Sequence, residues 1–228
     1  SWLPWVDDDT AEDATEPAKL QPFDAEVDVS VQWKRQVGDG LGKKYIRLMP
    51  GVVADRIIAA DGYGLLVAYD RFTGQPVWQQ QFDAVERSGF SIAGLLDRRD
   101  PAFVSGGVGI GAGMVLVGTT HGEVIALDVA DGSERWRSRV GTEVGAAPTA
   151  GAGKVFVQTI DDRVSALDAD SGDLVWTYDS QMPLLTLRGT SAPVFDQGVL
   201  YTGFANGKVV ALRLSLIHIS EPTRQIVI

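Results

Sequence analysis

The sequence predicts an all-β fold, a β-propeller of four-stranded blades, and three observations predict it. A motif of fixed spacing, A-x-D-x3-G-x3-W, occurs three times. Between its copies lie short runs rich in β-branched residues, separated by Asp- or Gly-containing turns. Helix signals are absent.

The three copies are Ala68, Asp70, Gly74 and Trp78, then Ala126, Asp128, Gly132 and Trp136, then Ala166, Asp168, Gly172 and Trp176. The Asp side chain can accept hydrogen bonds from turn amides two or more residues on, and the Gly supplies a left-handed turn residue. The Trp, at or inside the outermost strand, can then wedge between neighbouring blades and bury ~150–250 Å². Trp33 is expected to do the same for an incomplete first copy. Four residues before each Ala stand Gly64, Gly122 and Asp162, with Gly207 in a fourth, degenerate copy. A tight turn with positive φ is expected there.

Each copy reads as four strands. In the first they are Gly51 to Ala54, Ile57 to Ala60, Leu65 to Tyr69 and Val77 to Phe82. The later copies keep the order, with Met114 to Thr119 then Val124 to Leu127, and Val155 to Thr159 then Val164 to Leu167. Successive motif aspartates are 58 and 40 residues apart, so the first interval holds an excess, expected as a long loop within Ala84 to Gly107. The chain divides into an acidic flexible leader (1–28), a partial propeller (29–213) and a tail (214–228).

Of the net charge of −10, the leader carries −8, from nine acids and one lysine. With three prolines and no apolar period it cannot bury enough surface to offset its ordering entropy. The acidic balance argues against nucleic acid and anionic lipid as partners. The chain has no Cys, which excludes disulfides, thiol chemistry and cysteine-ligated zinc. No apolar run reaches the ~18 residues of a membrane span.

The repeat resembles the quinoprotein-type, PQQ-like propeller repeat. The run Met182 to Pro193, with Leu185, Leu187, Arg188, Gly189, Ser191, Ala192 and Pro193, resembles the BamB family of outer-membrane assembly lipoproteins. Val37-Gly38 through Gly42 and Ser105-Gly106-Gly107-Val108 add to that resemblance, which covers about 29–213. It implies about four of the eight blades of a ring, and a noncatalytic scaffold at the periplasmic face of the bacterial outer membrane. There the scaffold supports folding and insertion of β-barrel proteins and uses no cofactor. It further implies that Leu185, Leu187 and Arg188 contact the periplasmic POTRA domains of BamA, with unfolded outer-membrane proteins as further partners. A lipidated Cys before Ser1 would tether the propeller, so membrane association would come from acyl chains alone. The alternative is a fragment of a PQQ-dependent quinoprotein dehydrogenase or a ligand-sensing propeller, and fold alone does not choose between them.

On residue chemistry, Leu184, Leu185, Leu187 and Arg188 fit either a protein-binding hot spot or a seal between two blades. The repeated Asp and Trp residues recur in every blade, which structure requires and one active site does not. Gly107 to Ala112 fits G-x-G-x-x-A but precedes a strand rather than a phosphate-binding helix. His121 reads as a solvent-exposed turn residue, and Asp161 and Asp162 as turn chemistry rather than a cation site.

Where a fourth copy needs Asp, Gly and Trp, the chain has Arg213, Ile217 and Glu221. The run Leu214 to Arg224 resembles a translated sequencing-library adapter, so 214–228 is expected to be non-native. A half-ring is expected to leave edge strands unpaired.

Overall fold

A computed structural model describes residues 27, 29–41, 48–82, 103–180, 191–214 and 225–226. Residues 1–31 and 32–228 form two units. In the first, Val27, Val29 and Val31 are exposed.

The second unit is built from four separate four-stranded antiparallel sheets, each with its strands in sequence order. The first blade comprises β1 (Gly51–Val53), β2 (Arg56–Ala60), β3 (Leu65–Asp70) and β4 (Pro76–Gln81). The second comprises β5 (Val104–Gly111), β6 (Met114–Thr119), β7 (Glu123–Asp128) and β8 (Glu134–Arg139). The third has β9 (Thr149–Gly151), β10 (Lys154–Gln158), β11 (Arg163–Asp168) and β12 (Leu174–Asp179). The fourth has β13 (Val194–Asp196), β14 (Val199–Gly203), β15 (Val209–Arg213) and β16 (Gln225–Ile226). The first strands β1, β5, β9 and β13 lie side by side in turn, which makes them the inner strands of a propeller and β4, β8 and β12 the outer ones.

Because successive side chains in a strand point to opposite faces, a blade between two others must be apolar on both. In the second blade Val115, Val117, Ile125 and Leu127 face Ile58, Leu66, Ala68 and Trp78 of the first. Met114, Leu116, Val124 and Ala126 face Val155, Val157 and Leu167 of the third. All of β6 is therefore buried. Leu200, Val210 and Leu212 cover Phe156, Val164 and Ala166 in the same way.

The motif now has a geometry. Its Ala pairs directly with its Trp across the two outer strands: Ala68 with Trp78, Ala126 with Trp136, Ala166 with Trp176. A bulge follows each of these Ala positions and increases the local twist. Each indole then reaches forward to the next blade. Trp33 Nε1 donates to the Arg71 carbonyl at 2.9 Å, Trp78 Nε1 to Val129 at 2.9 Å and Trp136 Nε1 to Ala169 at 2.8 Å. The ring lies against the motif Gly of that next blade, so a Cβ on Gly132 would sit 2.6 Å from the Trp78 ring. Gly132 also has φ +75°, which L side chains disfavour. Trp33 thus plays its expected part, although no blade of its own is described around it. Trp176 differs: it is half-buried against Phe156, and among the described residues its indole N–H has no acceptor.

The structure corrects two expectations here. The long segment between the first two blades ends before Gly107, because β5 already starts at Val104; the rest of that expected loop, 84–102, lies outside the described residues. The open surface of the fourth blade is a sheet face rather than a strand edge. The four sheets share no strand-to-strand hydrogen-bond ladder with one another, so what the fourth blade turns outward is a face, with Val194, Tyr201 and Val209 58%, 41% and 67% exposed. They share the face opposite Leu200 and Val210.

Two substitutions test the interblade contact. Gly132→Ala should lower stability by about 1–3 kcal/mol through positive-φ strain and the Trp78 overlap, read from urea unfolding. Trp136→Phe should cost about 1–3 kcal/mol by leaving the buried Ala169 carbonyl without its donor. Trp176→Phe, with no such bond to lose, should cost less than about 1 kcal/mol.

Candidate functional site

Strand alternation sends the turns of each blade to two opposite ends. One end collects the turn between the third and fourth strands, including 71–75, 129–133 and 169–173, and with it the motif aspartates. The other collects the turn between the second and third strands, 61–64, 120–122, 159–162 and 204–208, together with the connections that run from one blade to the next. Asp70, Asp128 and Asp168 belong to the first end, and the connection that carries Leu185, Leu187 and Arg188 starts and finishes at the second.

At the first end the aspartates organise turns. Asp70 Oδ1 accepts from the amides of Phe72 and Thr73 and from the Thr73 hydroxyl at 2.7–3.1 Å. Asp168 Oδ1 accepts from the amides of Asp170 and Ser171 at 3.0 Å. Asp128 accepts from the Ala130 amide at 2.7 Å and pairs with Arg135 at 2.6 Å. Each carboxyl is held below its ordinary range: Asp70 first by the Thr73 amide, Asp128 first by the Arg135 side chain, Asp168 first by the Ser171 amide.

At the second end, the connection of residues 140–148 shows how a link of this kind is seated. The Val144 amide donates to Thr119 O and the Gly145 amide to Gln158 O, each at 3.0 Å, and Glu143 O accepts from the Ile160 amide at 3.0 Å. The Ser105 hydroxyl donates to Val144 O at 2.8 Å. Val144 and Ala146 are buried and seal the space between blades two and three, while Thr142 is exposed and Glu143 half-buried. The connection of residues 180–193 joins the same strand positions of blades three and four and is five residues longer. Leu184, Leu185, Leu187 and Arg188 fall at 181–190, outside the described residues. The end of the connection is anchored where Thr149 Oγ1 donates to Pro193 O at 2.6 Å. Ser191 and Ala192 are exposed.

The remaining candidates resolve as follows. Gly107 to Gly111 lie in β5, with Gly109 against Pro148 and Gly111 against Ala150, so side chains and backbone occupy the space a phosphate would need. His121 is half-buried rather than exposed, its ring 6.3 Å from Phe103, because the turn folds back on the aromatic residue that precedes β5. Asp161 accepts from the Thr159 hydroxyl and faces Arg163. Asp162 takes the left-handed conformation with φ +57° and is only 1% exposed. Missed in the sequence was Asp61, 3% exposed, whose carboxylate gathers the amides of Asp39, Tyr63 and Leu65; a lone Asp in the turn that follows an apolar strand carried no repeat signal. Among the described residues no group of three or more His, Asp or Glu side chains is placed to hold a metal.

A family model described as "Outer membrane protein assembly factor BamB" matches residues 23–91 and 84–215. The chain belongs to the BamB family. An outer membrane protein assembly factor BamB of Xanthomonas campestris pv. campestris is 41% identical over 207 residues, which are 91% of this chain and 49% of that protein. The crystal structure of BamB from Moraxella catarrhalis matches with TM-score 0.58 and 29% identity over 73% of this chain and 44% of that one. A quinohemoprotein alcohol dehydrogenase from Comamonas testosteroni matches with TM-score 0.54 at 22% identity, over 76% of this chain and 34% of that one, and shares the fold. The chain spans about half the length of the curated BamB relatives it matches.

The lowered carboxyls make an acid-limb prediction. A folded value below the unfolded one stabilises the fold fully above the unfolded value, near 3.8, and the contribution is lost as pH falls through the folded values. Carboxyl-carbon NMR titrations should place Asp70, Asp128 and Asp168 below an ordinary Asp. Added salt should raise Asp128 most, since its first cause is an exposed ion pair, while the amide-held Asp70 and Asp168 move least.

Proposed function

We propose that the chain is a noncatalytic scaffold of the outer-membrane β-barrel assembly machinery, and that Leu185, Leu187 and Arg188 form its contact with the periplasmic POTRA domains of BamA. The curated relatives are named as outer membrane protein assembly factors, which supports a role for this chain at the outer membrane. In this reading the propeller stands at the periplasmic face, held by acyl chains on a residue ahead of Ser1, and helps unfolded outer-membrane proteins fold and insert.

One observation carries the choice of binding surface over interblade seal. Counted back from the proline that opens the inner strand, Pro193 corresponds to Pro148, but Ser191 is exposed where Ala146 is buried, so this connection does not repeat the seal of the shorter one. A leucine and an arginine in a lengthened connection supply an apolar anchor beside a forked hydrogen-bond donor, the composition of an interface hot spot. The likeness to a quinohemoprotein is one of fold and gives no support to an enzymatic reading.

We also read 214–228 as non-native: the family match stops at residue 215, and the outer strand of the fourth blade is the two-residue β16 in place of a Trp-bearing strand.

Calorimetry of the full-length protein with the BamA periplasmic domains tests this. Leu187→Ala and Arg188→Ala should each weaken binding by about 2 kcal/mol, roughly thirtyfold, with unchanged unfolding temperature. Wild-type affinity in both folded variants would remove these residues from the interface. Turnover of an alcohol by the full-length protein loaded with quinone cofactor would overturn the noncatalytic reading.

A further inference from the structure

Two sheet faces are shaped for a neighbour that the described residues do not supply. In the second blade Met114, Leu116, Val124 and Ala126 look toward the third blade and are buried. Counted from the motif Ala, the same positions in the fourth blade are Val199, Tyr201, Val209 and Ala211, of which Tyr201 and Val209 are exposed. The first blade is open on its opposite side. Val115, Val117, Ile125 and Leu127, through which blade two meets blade one, correspond there to Ile57, Ala59, Val67 and Tyr69. That face carries the exposed Val52, paired with Ile57, and a cavity of about 330 Å³ lined in part by Gln36, Leu65, Val67 and Tyr69.

The two faces also hold complementary parts of one blade. Trp33 sits on the first blade as Trp136 sits on the third, its indole N–H donating to a turn carbonyl. Two residues on, Arg35 Nε donates to the Gly74 carbonyl as the Ser138 hydroxyl donates to that of Gly172. The stretch from Trp33 to Gln36 therefore has the seating of an outer strand, yet it belongs to none of the four sheets. The fourth blade has the converse deficiency. Its strands β13, β14 and β15 follow the pattern of the other blades, while its outer strand is β16, which meets only Ala211 and Leu212 and carries no Trp.

We propose that two copies of this 228-residue chain close on each other, the outward face of each fourth blade packing on the first blade of the other copy. Val194, Tyr201 and Val209 of one copy then cover Val52, Ile57 and Val67 of the other, giving the apolar burial that every internal blade contact already has. The Trp33 stretch becomes the outer strand of the other copy's fourth blade and keeps its own bond to Arg71, so only β16 is displaced. In the first blade Ala68 faces Trp78 and Leu65 faces Gln81; by the same register Ala211 faces Trp33 and Lys208 faces Gln36 across the interface. A head-to-tail contact of this kind leads either to a closed ring or to a filament. The chain spans about half the length of its curated relatives, so two copies supply about one relative's length of chain, which favours a ring of two. In a longer chain, further blades of its own would take up both faces.

Sedimentation equilibrium of the 228-residue chain should give twice the mass of one copy. Val209→Lys and Val52→Lys lie on the two different faces, at exposed positions of the single chain, and each should yield the monomer mass with its β-sheet circular dichroism intact. Because the chain has no Cys, Gln36→Cys combined with Lys208→Cys reports the contact directly. Facing residues of paired strands lie within disulfide reach, so oxidation should join two copies on a denaturing gel, and adding Val209→Lys should abolish the link. A monomer mass for the unsubstituted chain overturns the proposal, as does an assembly that keeps growing with concentration. A dimer that survives either folded lysine variant, or that gives no crosslink, overturns it as well. Should a lysine variant fail to fold, the crosslink decides.

Discussion

An indole N–H of one blade donates to a turn carbonyl of the next, and the same ring lies on the glycine that shapes that turn. Most of the motif follows from this contact. The Ala beneath each Trp leaves room for the ring, because a larger side chain at that cross-strand position would displace it. The Asp holds the turn so that its carbonyl points at the indole, and the Gly permits both the positive φ and the close approach. Residues that look like a scattered consensus are parts of one joint, repeated between blades.

The joint occupies one end of the blades, which leaves the other free to vary. There the turns are held by varied means: Asp61 with three amides in the first blade, Thr119 with the Glu123 amide in the second, and Thr159 with Asp161 in the third. Variation at this end is tolerated because the blades are already fixed by their cores and their indoles. A lengthened connection can therefore be added between blades three and four without disturbing the sheets on either side. Binding residues in loops on a rigid scaffold are a common division of labour.

Much of this was legible in the sequence because the determinants are local and recur. The spacing of Asp70, Gly74 and Trp78, repeated twice, announced strand, turn and strand, and Trp33 was legible as the packing residue of an incomplete first copy. What stayed hidden depends on neighbours far along the chain. His121 reads as exposed until Phe103 packs beside it, and Asp162 reads as a plain turn residue until its burial is known. The start of β5 at Val104 was obscured because Ser105-Gly106-Gly107 has loop composition; Gly106 lets Ala146 and Val144 approach the strand, and Gly107 takes a positive φ. As for the candidate interface, composition alone balanced hot spot against seal. What speaks for the hot spot is the exposure of Ser191, where the shorter connection buries Ala146.

The joints all point the same way: Trp33 to the first blade, Trp78 to the second, Trp136 to the third. Each blade, once formed, holds out a donor to the segment that follows it in the chain and asks nothing of that segment for its own hydrogen-bonded sheet. A polypeptide delivered N-terminus first can therefore order itself vectorially. Every completed sheet is a template on which the next one docks, and the surface awaiting its neighbour is always at the growing end.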